Sequence, residues 1–162
     1  MRKALIVGID HYDQIGSLHG AVNDAHAVNS VLKRHADNRV NFAQPNLMVA
    51  SGPGSAISKN ALRSAVAELF KGDAEIALFY FSGHGFLDGV GGYLCASDCE
   101  AGHDGLALSE VLVMANGSPA RNKVIILDSC HSGFAGGVAA TSPIAELNEG
   151  ITILTASTAE QY

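Results

Sequence analysis

Short runs of unbroken apolar residues alternate along this chain with stretches of helical period, and that alternation narrows the fold more than any other feature. Lys3–Ile9 (KALIVGI), Asn46–Ala50 (NLMVA), Ile76–Phe81 (IALFYF), Lys123–Leu127 (KVIIL) and Ile151–Ala156 (ITILTA) are all of strand length. A strand apolar at every position, rather than at every second one, is buried on both faces. Between them, Gly20–His35 carries Ala25, Val28 and Leu32 at helical spacing. Ser58 stands where a cap belongs, ahead of a face made of Leu62, Ala65, Val66 and Leu69. Leu106–Ala115 reads as a third helix, stopped by Asn116-Gly117 and Pro119. Tyr93–Ala96 reads as a hairpin arm after the glycine-rich Gly83–Gly92, and Ser132–Gly150 as a long exposed loop of small residues. The expectation is an α/β domain over residues 1–162, with a mostly parallel central sheet and helices on both faces.

Composition removes several classes of protein. With 48% hydrophobic residues in 162, the chain has ample apolar material to offset the entropy of ordering, which excludes a disordered segment. Three cysteines are too few, and odd in number, for a disulfide-stapled scaffold. A net charge of -6 without a basic run argues against nucleic acid or an anionic membrane as partner. The first apolar run is short and ends in Gly8-Ile9-Asp10, unlike a signal peptide, and no window has the length of a membrane span. A cytoplasmic location, with cysteines as reduced thiols, is the expectation.

In parallel sheets, ligands and catalytic groups gather at the carboxyl ends of strands. The third strand runs into Ser82-Gly83-His84-Gly85 and the fourth into Asp128-Ser129-Cys130-His131-Ser132-Gly133. A cysteine and a histidine at the same edge of one sheet satisfy the requirement of a thiol nucleophile with a positioned base. The glycines around His84 are expected to turn the backbone tightly after the strand and to admit a substrate closely. Taken singly, Cys130 reads more readily as a small core hydrophobe and His84 as a loop residue. Occurring together at matching strand ends, each in a small-residue turn, they favour chemistry.

FSGHG at 81–85 and DSCHSG at 128–133 resemble the two catalytic motifs of the caspase-like cysteine peptidases, closest to the metacaspase and orthocaspase branch. ALIVGIDHY and LHGAVNDAHAV resemble the first strand and first helix of metacaspases, and ITILTASTAEQ near the end also resembles that family, so the likeness runs the length of the chain. The resemblance implies the three-layer caspase–hemoglobinase fold. It implies Cys130 as nucleophile, His84 as general acid and base, and backbone N–H groups of Gly85 and Cys130 as the oxyanion hole. His131 belongs to the motif without being the base.

Specificity follows from the same resemblance. In metacaspases the positions matching Asp24, Ser82 and Asp128 line the primary pocket. Two carboxylates there would select a guanidinium or ammonium group, so cleavage is expected after Arg or Lys in protein or peptide substrates. Asp24 has a plainer reading as an acid at a helix start, and Asp128 as a turn residue at a strand end. Many metacaspases bind calcium through an adjacent pair of acids beyond the histidine motif. Asp98, Asp104 and Glu110 contain no such pair, so calcium activation is poorly supported and no cofactor is expected to be required. Cys95, Cys99 and His103 recur at spacing four without a fourth ligand, and no metal site is expected.

Family members carry a small-subunit region after the fifth strand. A chain ending at Tyr162 is therefore expected to be a large-subunit portion, whether trimmed, processed or completed by another chain. Ser132–Gly150 holds no Arg or Lys for basic-specific self-cleavage, and Arg121 and Lys123 would be poor processing sites. The leading expectation is a cysteine endopeptidase acting with a sensor or effector partner in prokaryotic regulated cell death or defence. The rivals are an inactive caspase-like scaffold and a different thiol hydrolase on the same frame.

Overall fold

The computed structural model describes residues 1–129 and 149–155. Its centre is a five-stranded, wholly parallel sheet. The strands are β1 (Arg2–Ile9), β2 (Asn46–Ala50), β3 (Ile76–Gly83), β7 (Asn122–Ser129) and β8 (Ile151–Thr155), in spatial order β2-β1-β3-β7-β8. Helix α1 (Ala21–Lys33) joins β1 to β2, α2 (Lys59–Phe70) joins β2 to β3, and α3 (Leu108–Asn116) precedes β7. The chain steps outward from β1 to β2, then back across β1 to β3. With right-handed crossovers, that reversal places α1 on one face and α2 on the other.

Two side-chain clusters bear this out. Ala4, Ile6, Leu78 and Tyr80 pack with Ala25 of α1 on one face. Leu5, Val7, Phe79, Phe81, Ile125 and Leu127 pack with Leu62 and Val66 of α2 and Val111 of α3 on the other. Alternate residues of β1 and β3 thus face opposite helical layers, which is why these strands are apolar at every position. Gly8 lies on the α1 face, where a Cβ would sit 2.6 Å from the Ala25 Cβ and collide with the Ala21 carbonyl oxygen. Only glycine lets the start of α1 lie directly on β1.

Element boundaries follow local chemistry. Ser58 caps α2 as expected, its Oγ accepting from the Ala61 N–H at 3.1 Å. Helix α1 has no side-chain cap of its own; the Asp10 carboxylate at the end of β1 accepts from the Ala21 N–H at 2.9 Å instead. The expected third helix, Leu106–Ala115, begins later. Leu106–Ala107 form β6, which pairs with β5 (Gly92–Leu94), itself paired with β4 (Gly85–Leu87) in a small antiparallel sheet. The expected arm Tyr93–Ala96 is therefore the middle strand of three. Asp88 holds the β4–β5 turn by accepting from the Val90 and Gly91 N–H groups. Of the expected loop Ser132–Gly150, only its last two residues, Glu149 and Gly150, fall among the described residues; Ala156 of the fifth expected strand falls outside them.

Candidate active site

Where strand order reverses, between β1 and β3, the segments leaving the carboxyl ends diverge and open a crevice. Tyr12 and Gly16 follow β1, Ser82 ends β3 with Gly83, and His84 comes next. The main chain around His84 is extended rather than tightly turned: β3 runs to Gly83, β4 begins at Gly85, and neither glycine has a positive φ. This corrects the role expected of these glycines. Gly83 is needed because a Cβ there would lie 2.7 Å from the Tyr12 hydroxyl oxygen.

That hydroxyl fixes the histidine. Tyr12 is buried and accepts from the His84 main-chain N–H at 2.7 Å, while the two rings meet at 4.8 Å between centroids. His84 Nε2 lies 2.7 Å from the Gly16 carbonyl oxygen. A carbonyl only accepts, so this contact puts the ring proton on Nε2 and leaves Nδ1 as the ring's acceptor. Burial pushes the Tyr12 phenol well above its ordinary range, keeping it neutral. The loop bearing Gly16 is tied down in turn, since the Asp13 N–H donates to the Ser97 carbonyl at 2.9 Å.

His84 and Gly85 line an open cleft of about 450 Å³, together with Ile15, Gly16, Phe86 and Glu100. Cys95 lines its inner wall, and Cys99 lies close by in the core. Both are buried thiols whose pKa burial raises; Cys99 donates to Asp104 Oδ1 at 3.0 Å. Such thiols are inert rather than nucleophilic.

On the α1 side of the same strand ends, Ser82 pairs in register with Asp128, and Gly83 with Ser129. Ser82 is buried and Asp128 half-buried. The Tyr80 hydroxyl donates to Asp128 Oδ2 at 3.2 Å. Burial, then the negative charge of Asp128, pushes the Tyr80 phenol up to about 12, and Asp24 adds to the effect. Asp24 sits in the first turn of α1 and is exposed. Among the described residues, no hydrogen bond or ion pair engages its carboxylate. The structure thus brings Asp24, Ser82 and Asp128 to one edge of the sheet, with His84 and Gly85 beside them. Cys130 and His131 lie outside the described residues.

Tyr12, Gly16 and Tyr80 escape the sequence reading. Tyr12 closes the quoted ALIVGIDHY segment, but neither it nor Gly16 lies in a stretch with a period that would assign it a role. Tyr80 was within reach: it stands two residues before Ser82 on a strand, hence on the same face.

The other acids have protein partners. Asp98 accepts from the Lys59 N–H at the start of α2, Asp104 from the Glu100 and Ala101 N–H groups, and Glu110 pairs with Arg63. His103 packs edge-on against Phe86. Among the described residues no three His, Cys, Asp or Glu side chains converge as a metal site, and no helix is long and apolar enough to cross a membrane.

An α/β sheet of this order, with a histidine at the end of its third main strand, defines a class. Residues 1–161 match the model of the caspase domain, and the chain belongs to that family. Its three-layer arrangement is the caspase-like fold. Among curated proteins it is similar to Metacaspase-1A of Aspergillus oryzae (strain ATCC 42149 / RIB 40), with 29% identity across 83% of this chain and 35% of that protein. The chain thus spans about a third of the length of that relative.

Proposed function

We propose that this domain is a cysteine endopeptidase cleaving after Arg or Lys through a Cys130–His84 dyad. The observation that carries the reading is the tautomer-setting contact of His84 Nε2 with the Gly16 carbonyl. It leaves Nδ1 to exchange a proton with a thiol and a leaving amine. Register supports the partner: β3 and β7 are matched through Ser82/Asp128 and Gly83/Ser129, and the next residues along the two chains are His84 and Cys130.

In the proposed reaction His84 Nδ1 takes the Cys130 proton and the thiolate attacks the scissile carbonyl carbon. The oxyanion is held by the N–H groups of Gly85 and Cys130; losing one such donor costs on the order of 3 kcal/mol in the barrier. Collapse expels the amine, which takes its proton from His84, and leaves a thioacyl-enzyme. Water, deprotonated by His84, then releases the acid and restores the thiol. Asp24, Ser82 and Asp128 receive the substrate's basic side chain, two carboxylates favouring a guanidinium that can be bound bidentately.

The reading requires no cofactor. Because Asp98, Asp104 and Glu110 already accept from protein donors, a chelator is expected to leave activity unchanged; a requirement for added calcium would overturn that part. A role in regulated cell death or defence, with a sensor or effector partner, follows from kinship with metacaspases alone. It predicts that inducing the wild-type protein slows host growth and Cys130→Ala does not; equal growth would count against it.

The direct test is purified protein with fluorogenic peptides ending in Arg, Lys or Asp, beside Cys130→Ala and His84→Ala. Turnover of the Arg and Lys peptides, lost in both variants, is the expected result. Equal signal from wild type and Cys130→Ala would end the dyad, and preference for Asp would end the basic specificity. A folded protein inert to these peptides and to an arginine-directed reactive warhead would establish the scaffold reading instead.

A further inference from the structure

Tyr80 is unusual in its surroundings. It is 5% exposed on the α1 face, among Ile6, Ala25 and Leu78, yet carries a hydroxyl aimed at the pocket edge. A phenylalanine would fill that space, so the hydroxyl has to be explained by its contacts. It donates to Asp128 Oδ2 at 3.2 Å, and Ser82 follows two residues on along the same face of the strand. Both are residues to which the basic specificity is assigned.

We propose that Tyr80 is a positioning residue for that specificity: its hydroxyl holds the Asp128 carboxylate in the orientation that receives a guanidinium. The inference rests on the pocket assignment above and extends it by one residue. With Oδ2 occupied by the phenol, rotation of the carboxylate is restrained and Oδ1 remains to meet the ligand. A half-buried carboxylate without such a donor would sample rotamers and lose the placement of Oδ1 that recognition of a guanidinium needs. Neutrality of the phenol, favoured by burial and by the neighbouring acids, keeps it a donor over the working pH range.

The experiment compares binding of N-acetyl-arginine amide and N-acetyl-citrulline amide, matched in shape but differing in charge, by calorimetry. Tyr80→Phe keeps the ring and the packing. Its affinity for the arginine amide is expected to fall about tenfold, the scale of one hydrogen bond to a charged group, with citrulline amide unaffected. In an Asp128→Asn background, Tyr80→Phe should change nothing further. Equal weakening of both amides, unchanged discrimination, or additive effects of the two substitutions would each overturn the role of Tyr80. Failure of wild type itself to discriminate the amides would overturn the basic pocket, and Tyr80's role with it.

Should Tyr80→Phe not fold, 3-fluorotyrosine at position 80 retains ring and hydroxyl. Its fluorine resonance should move on adding arginine amide and stay put in the Asp128→Asn protein. A resonance indifferent to the ligand overturns the proposal.

Discussion

His84 is held from two directions, by its main-chain N–H and by its ring. The Tyr12 hydroxyl takes the first and the Gly16 carbonyl the second. Tyr12→Phe leaves the His84 N–H without that acceptor, a cost of about 1–3 kcal/mol. A matching loss in unfolding free energy is expected by denaturant titration, together with a lower kcat on arginine peptides as the ring loses its register. Unchanged stability would mean that water replaces the hydroxyl. At this scale the sequence was informative about the groups proposed to react and silent about those that hold them. His84, Ser82 and Asp128 stand at the ends of apolar runs, so strand polarity alone places them at one edge. Tyr12 and Gly16 reach His84 from a loop, and loop geometry has no period to read.

Two elements position the pocket by contacts that a single residue controls. Gly8 lets α1 rest on β1, and α1 carries Asp24. Gly8→Ala forces the helix start outward against the Ala21 carbonyl and the Ala25 Cβ, an overpacking cost of about 1–3 kcal/mol. The expected result is a lower urea midpoint with unchanged slope and weaker binding of arginine ligands.

The loop from Cys99 to Asp104 is organised by one carboxylate. Burial alone would raise the Asp104 pKa, but the Cys99 thiol and the Glu100 and Ala101 amides that donate to it hold it well below the usual carboxylate range. A depressed carboxyl stabilises the fold fully above an ordinary carboxyl pKa of about 4 and loses that contribution as pH falls below it. Wild type is therefore expected to exceed Asp104→Asn in stability near neutrality, and the two should converge in strong acid. Denaturant midpoints measured from about pH 7 to about pH 2 would check this; a constant difference would rule the linkage out. Element types were legible wherever period was strong. The start of α3 was not, because Leu106 and Ala107 pair with Leu94 and Tyr93, and that partner is distant in sequence.

Across the whole molecule, two apolar layers clamp one sheet, and β3 runs through the middle of both. Phe79, fully buried beneath α2, joins strand and helix. Phe79→Ala is expected to remove about 3–5 kcal/mol, a large share of the 5–15 kcal/mol typical of a domain. A fall of that size in unfolding free energy, or loss of the cooperative transition, is the readout. The same layering explains why the site lies where it does. The sheet's reversal at β1 and β3 opens its crevice at the carboxyl ends of the strands, and among the described residues Asp24 of α1, Asp128 of β7 and His84 stand at that end.

Periodicity and strand-end chemistry were enough to read an α/β sheet with two faces covered and the strand ends that carry His84 and Cys130, because those features depend on near neighbours in the chain, whereas Asp24, Ser82 and Asp128 were singled out by family resemblance. Which proton His84 carries, why Gly8 and Gly83 must be glycine, and what Tyr12 and Tyr80 do with their hydroxyls depend on atoms from 13 to 72 residues apart brought into contact. No local pattern encodes such a meeting; it exists once the strands are in register and the helices lie against them.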